Sequence, residues 1–179
     1  MRWKNGGGAT TEIAISPAGA SLDDFAWRIS AADVSASGPF SAFPGCDRVL
    51  VQTEGSPMTL SHGGHGRHML ALLVPHAFDG GWETAGEIGA TSARDFNVIV
   101  RRSLARATVR VVVGEDEAPP ASVRVVHALR GEVVVTCAGD VIALPAGDTL
   151  VVEDNATLHT RVAVDGAALS IAIERIAER

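Results

Sequence analysis

The chain has 179 residues, 46% of them hydrophobic and 20% charged, with three Trp, five Phe and no Tyr. A chain so rich in Val, Ala, Leu and Ile buries a core, which excludes intrinsic disorder. Fifteen Lys and Arg against 21 Asp and Glu give a formal net charge of -6. With no basic run longer than Arg101-Arg102, the chain matches phosphate backbones poorly, and no nucleic-acid partner is expected.

The N-terminal stretch Met1-Arg2-Trp3-Lys4-Asn5-Gly6-Gly7-Gly8 has no apolar signal-peptide region. The longest apolar run, Met69 to Pro75, is far shorter than the roughly 20 residues that span a bilayer. A cytoplasmic protein without a membrane partner is expected. Cys46 and Cys137 lie far apart without a CxxC partner, so neither a disulfide framework nor a cysteine zinc site follows.

Short β-branched runs broken by Gly, Pro, Asp and Ser dominate. In chain order, strands are predicted over 10–15, 25–34, 48–53, 69–74, 96–100, 108–113, 123–129, 132–137, 141–144, 149–152, 158–164 and 168–173. This spacing is the pattern of an all-β sandwich or barrel. Only 22–25 and 173–179 leave room for helix, and neither defines an α/β protein.

Gly114-Glu115-Asp116-Glu117-Ala118-Pro119-Pro120 joins a charge run to a double proline and reads as a connector. It is expected to divide a first half, 1–114, from a second, 121–179, the two tightly packed as one unit. The halves echo each other: Val49 to Gly55 has the rhythm of Val125 to Gly131, an apolar strand followed by a glycine turn. Pro75 to Gly80 corresponds loosely to Pro145 to Gly147. The run Gly139-x5-Pro145-x-Gly147 resembles the second motif of the cupins, in which a strand enters a tight turn. Cupins usually carry a metal-binding His where this chain has Leu150.

Five further segments, in order, resemble the HutD/Ves family of small double-cupin proteins. They are Trp3-Lys4-Asn5-Gly6-Gly7-Gly8 with Thr10, Thr11, Glu12 and Ile13; Trp27-Arg28-Ile29-Ser30; Gly38-Pro39-Phe40-Ser41-x-Phe43-Pro44-Gly45-x-Asp47-Arg48; Pro75-x-Ala77-Phe78-Asp79-Gly80; and Asp95-Phe96-Asn97 with Arg101-Arg102. The match covers roughly 3–102, and the later half is matched by its cupin rhythm alone. The resemblance implies an all-β double-stranded β-helix (cupin) repeated as a bicupin sandwich or barrel, with a small-molecule pocket and no established enzymatic activity. It also implies a role in sensing or modulating histidine catabolism, with a formylglutamate- or urocanate-like ligand. Two features depart from the family. Members usually carry a further strand before the Trp-Lys-Asn-Gly-Gly segment, so a natural start upstream of Met1 is expected. The segment Ser61 to His68, rich in Gly and His, is not a family feature.

Strand alternation puts Asp95, Asn97 and Arg101 on one face and Phe96, Val98 and Val100 on the other. Arg28 and Ser30 likewise stand opposite Trp27 and Ile29. Such polar faces either line a pocket or are solvated. In a pocket, Arg28, Arg48 and Arg101 would clamp a carboxylate, because a guanidinium donates two parallel charge-assisted hydrogen bonds. The bland alternative pairs each of them with Glu12, Asp47 or Asp95. Lys4, Asn5 and Asn97 would read the polar remainder of the ligand, and Phe40 and Phe78 would exclude water. Ser30, Ser41, Glu12 and Asp79 complete the candidate set. His62, His65 and His68 have three-residue spacing but no His-x-His and no acidic residue at cupin spacing, so a solvated loop is expected and no metal or other cofactor. His127 and His159 are expected to be structural.

The leading expectation is a metal-independent binding protein for a small carboxylated metabolite. The alternative is a cupin-fold isomerase, lyase or hydrolase acting on such an acid, with Glu12 or Asp79 as the base. A metal-dependent dioxygenase fits less well, for want of the cupin histidines. Exposed strand edges make a homodimer plausible.

Overall fold

The computed structural model describes residues 1–3, 6–153 and 156–176, and these form strands and turns. Among them no helix is long and apolar enough to cross a membrane. The chain divides into two compact units, Met1–Ala105 and Arg106–Arg179.

In the first unit β1 is Gly8–Ser16, β2 Trp27–Val34, β3 Gly38–Pro39, β4 Cys46–Gly55, β5 Met58–His62, β6 Gly66–Met69, β7 His76–Asp79, β8 Thr84–Ile88 and β9 Ala93–Arg101. They make a sheet of order β1-β2-β9-β4-β7 and a second of order β3-β8-β5-β6. Residues of one parity point inward. Val34, Leu50 and Phe78 from the larger sheet meet Met58 and Leu60 from the smaller, with Trp82 and Ile88 packed against them. β5 alternates between buried and half-buried residues, so a one-residue slip would take Met58, Leu60 and His62 out of the core.

In the second unit β10 is Ala105–Val112, β11 Glu115–Ala118, β12 Val123–Arg130, β13 Val133–Cys137, β14 Asp140–Leu144, β15 Thr149–Val152, β16 Leu158–Val162 and β17 Ala167–Arg175. Its sheets have the orders β10-β17-β12-β15 and β11-β16-β13-β14, around a core of Val126, Val133, Val135, Leu144 and Leu158. With β1 set aside, β2 to β9 correspond strand for strand to β10 to β17, in chain order and in sheet position. The faint sequence echo is thus a repeated topology, two four-stranded sheets wound twice over, as a bicupin requires.

Gly55, the last residue of β4, and Gly131, just after β12, occupy corresponding turns at left-handed φ of 88° and 72°. A Cβ at Gly55 would stand 2.1 Å from the Ser92 carbonyl oxygen, and one at Gly131 would stand 2.8 Å from Gly166 Cα. Gly55→Ala is therefore expected to cost roughly 2–4 kcal/mol and Gly131→Ala less, from strain plus collision. The check is a lower urea midpoint at unchanged m-value.

Most predicted strands occur with ends moved by at most three residues, but three expectations change. The apolar run 69–74 leaves the sheet after Met69. Leu73 takes φ 59° and donates its N–H to the Gln52 carbonyl, while Met69, Leu72 and Val74 are exposed. The acidic segment expected to be a connector is strand β11, in register with β16 from Glu115↔Arg161 to Ala118↔Leu158. Its charges are tolerated because Glu115 and Glu117 stand opposite Arg161 and His159. Residues 22–25 form no helix but a turn, held by Ser21 Oγ donating to the Asp24 carboxylate at 2.8 Å. The tail continues β17 to Arg175, and 177–179 lie outside the described residues.

Candidate ligand site

Three neighbouring strands build the site. In the paired register Ile99 of β9 stands opposite Arg28 of β2 on one side and Arg48 of β4 on the other. Asn97 stands between Ser30 and Leu50 in the same way. Two guanidinium side chains thus leave one sheet face two strands apart, about 10 Å at Cα for strands about 4.8 Å apart. Above them is a cavity of about 450 Å³, lined by these polar groups and walled by Trp3, Phe40, Phe43 and Leu22.

Arg48 is the organising charge. It is 5% exposed, donates through Nε and Nη2 to Asn97 Oδ1 at 2.8 and 2.5 Å, and lies over the Phe40 ring at 5.0 Å from its centroid. Asn97 in turn donates from Nδ2 to the Asp95 carboxylate. Burial brings the Arg48 guanidinium down to about 10, against the pull of Asp95, and Arg28 adds repulsion. Burial likewise pushes the Asp95 carboxyl up to about 6, although Arg48 and Asn97 favour its ionised form. Asp95 Oδ2 has no hydrogen-bond partner among the described residues. Arg28 donates to Glu12 Oε2 at 2.9 Å and to Ser30 Oγ at 3.2 Å.

Six of the sequence candidates line this one cavity: Arg28, Ser30, Phe40, Ser41, Arg48 and Asn97. Glu12 sits at its edge through Arg28. Phe78 is buried in the core and lies under the Arg48 guanidinium at 5.5 Å. Arg101 is directed elsewhere, donating to the carbonyls of Phe25 and Asp23 at 3.1 and 2.7 Å. Asp79 accepts from Arg102 at 2.9 Å and from Gly81 N–H at 2.8 Å, and both contacts hold its carboxyl below the usual range, the backbone bond most. Lys4 and Asn5 lie outside the described residues.

Other contributors escape a strand-by-strand reading. Met1, Arg2 and Trp3 fold back on β1, with Trp3 N–H bonded to the Gly8 carbonyl and Thr10 N–H to the Met1 carbonyl at 2.9 and 2.7 Å. Trp3 Nε1 then donates to Thr10 Oγ1 at 2.7 Å, and its ring meets Phe40 edge-on at 5.7 Å. Gln52 is buried for a structural reason, since its side chain holds Met58 N–H and the Ser56 carbonyl at 3.1 and 2.6 Å.

The second unit differs at the corresponding places. Arg124 of β12 faces Ala172 across the ladder, where Arg48 faces Ile99. Ser170 stands where the first unit has Asn97, and Arg124 Nε has no hydrogen-bond partner among the described residues. Leu150, at the position where cupins place a metal-binding His, packs against the second core, so that position does not fit a metal.

Comparison with known proteins gives a consistent result. A family model described as HutD matches residues 1–170. An uncharacterised 21.2 kDa protein of Pseudomonas putida, from the hutC 3' region, is 35% identical over 140 residues, which cover 78% of this chain and 73% of that protein. Protein Ves of Cronobacter sakazakii is 38% identical over 110 residues, covering 61% and 59%. The solved structure of HutD from Pseudomonas fluorescens superposes with a TM-score of 0.85 at 32% identity, covering 99% of this chain and 94% of that one. A cupin 2 conserved barrel protein from Leptotrichia buccalis, at 10% identity and a TM-score of 0.60, covers 93% and 89% and shares the fold.

Proposed function

Since this chain belongs to the HutD family, we propose that its first unit binds a small carboxylated metabolite and thereby senses or modulates histidine breakdown. The observation that carries this reading is a buried Arg48 at the floor of an open, aromatic-walled cavity, with Arg28 as a second guanidinium on the same face. Burying a cation costs free energy unless an anion and hydrogen bonds compensate. Arg48 makes its two closest hydrogen bonds to a neutral amide oxygen of Asn97. A ligand carboxylate supplies the better partner, and the walls of Trp3, Phe40 and Phe43 suit a flat or aliphatic body. A formylglutamate- or urocanate-like acid has that chemistry.

The enzyme reading has less support. Asp79 is outside the cavity and held as a carboxylate by Arg102 and Gly81, and Glu12 is already engaged by Arg28.

The test is a thermal-shift screen of metal-free protein against histidine, urocanate, formiminoglutamate, formylglutamate, glutamate and formate. A ligand at 100 times its Kd that binds only the native state stabilises it by about 2.7 kcal/mol. One pathway acid is expected to raise the midpoint selectively, and Arg28→Gln to shrink that rise. Midpoints unmoved by every acid would refute the binding reading, and product formation on incubation would move the protein to the enzyme class.

A further inference from the structure

The two arginines on the cavity floor differ in charge balance. Arg28 is matched. Its Nε donates to Glu12 Oε2 at 2.9 Å, the two side chains being 10% and 45% exposed, and its Nη1 donates to Ser30 Oγ at 3.2 Å. Arg48 is bonded to neutral oxygens. Its Nε and Nη2 end on the Asn97 amide oxygen, and Nη1 reaches the Ser41 carbonyl at 3.5 Å. The Asp95 carboxylate is taken by Asn97 instead. Arg2 also lines the cavity but is exposed, where water screens its charge. Among the described residues no histidine lines it. His65 and His68 are exposed as a solvated loop requires. His62, expected in that same loop, is instead 5% exposed and packs with its Nε2 3.1 Å from His76 Nε2.

Strand register places Glu12 on the cavity side. It stands opposite Ser30, two residues from Thr10, which stands opposite Ala32; Thr10, Ser30 and Ala32 all line the cavity. Between the two arginines lies Ile99, an apolar stretch of floor. The cavity thus runs from a cation bonded to neutral groups, over an aliphatic side chain, to an ion pair whose charges cancel.

We infer that Glu12 sets the specificity of this cavity, selecting a monocarboxylic acid whose far end is an uncharged group with both an N–H donor and an acceptor, such as a carboxamide or an imidazole. The inference rests on the binding reading above and names its ligand class. The ligand carboxylate pairs with Arg48, and its methylenes or ring cross Ile99. At the far end the acceptor takes a hydrogen bond from Arg28 Nη2, and the N–H donates to Glu12 Oε1. A second carboxylate at that end meets the Glu12 carboxylate, and like charges brought together in a partly desolvated site are disfavoured. Hydrogen bonds to a charged partner contribute about 1.5–3 kcal/mol, roughly 10- to 100-fold in affinity.

The experiment is calorimetric titration of the full chain at pH 7.5 with two matched pairs of acids, glutaramate against glutarate and succinamate against succinate. In each pair the members differ by one terminal carboxamide for one carboxylate. The carboxamide acid is expected to bind roughly 10-fold tighter or more in the pair of fitting length. Glu12→Gln should reverse that preference. The Gln oxygen still accepts from Arg28 Nε, but Arg28 is left a cation without its counter-charge, which now favours the diacid. A merely structural role for Glu12 would weaken both members alike, and thermal melting without ligand verifies the fold. Equal or tighter diacid binding by the unmutated chain, or an unchanged preference in Glu12→Gln, overturns the inference and leaves the binding reading standing. Failure of all four acids to bind overturns it as well, and failure of every acid in the thermal screen besides removes the binding reading with it.

Discussion

Arg48→Met is expected to abolish stabilisation by acidic ligands, whereas Arg101→Gln keeps it. Both residues are arginines on strands of the same sheet, but only Arg48 reaches the cavity. Arg101 is tied to the carbonyls of Phe25 and Asp23. Truncating one partner of a buried, hydrogen-bonded charge pair typically costs about 2–5 kcal/mol of binding, a loss of roughly 30-fold to several thousand-fold. The midpoint rise produced by the best acid in the thermal screen should therefore disappear in Arg48→Met at the same ligand concentration. Met keeps the length of the stem against Phe40 and Phe78, so the fold should survive, and urea unfolding without ligand verifies this. An undiminished rise in Arg48→Met would take Arg48 out of the site. A rise lost in Arg101→Gln instead would move the site to another face.

Asp95→Asn is expected to stabilise the protein at neutral pH and to flatten its pH dependence between about pH 4 and 7. The folded carboxyl titrates near 6, above its ordinary 3.8, so the folded state holds this proton more tightly than the unfolded state. The stability linked to that proton is complete below about pH 4 and is lost as pH rises through about 6. The difference is on the order of 3 kcal/mol, and the attraction of Arg48 is already counted in the folded value. Asn mimics the protonated form and keeps the acceptor for Asn97 Nδ2. Urea unfolding at pH 4.5 and 7.5 measures the effect: the variant should gain most at pH 7.5 and little at pH 4.5. Equal gains at both pH values would mean that Asp95 does not titrate in this range. Because ionised Asp95 offsets part of the Arg48 charge, Asp95→Asn should also bind an acidic ligand more tightly at pH 7.5.

The inward face of the site was legible because a strand has period two. Arg28 and Ser30 on one strand and Asp95 and Asn97 on another share faces in the sequence itself, and the structure places those faces inside the first unit. Arg101 shares the face of Asn97 by the same rule but lies at the end of β9, where the chain has left the cavity. Alternation gives a direction, not a depth. Asp95 carried the same weakness in reverse. It stood beside Asn97 on the polar face, yet its complete burial, and hence its raised carboxyl, depends on neighbours from β2 and β4.

Composition, turn glycines and the family segments by themselves determined an all-β chain of two cupin-like halves, because strand period and left-handed turns are local properties. The five short strands β3, β5, β6, β7 and β8 were not legible, since two to five residues are too few for an alternation such as Met58-Thr59-Leu60-Ser61 in β5 to stand out from its surroundings. Pairing with neighbours supplies their order. The acidic β11 was hidden for the same reason, as its partners Arg161 and His159 come from β16. Only the tertiary structure decided which arginine is buried and which is tied off at the surface. It alone brought His76 to His62 across 14 residues of chain, because such proximity arises from strand register and sheet closure, and neither is encoded in any single segment.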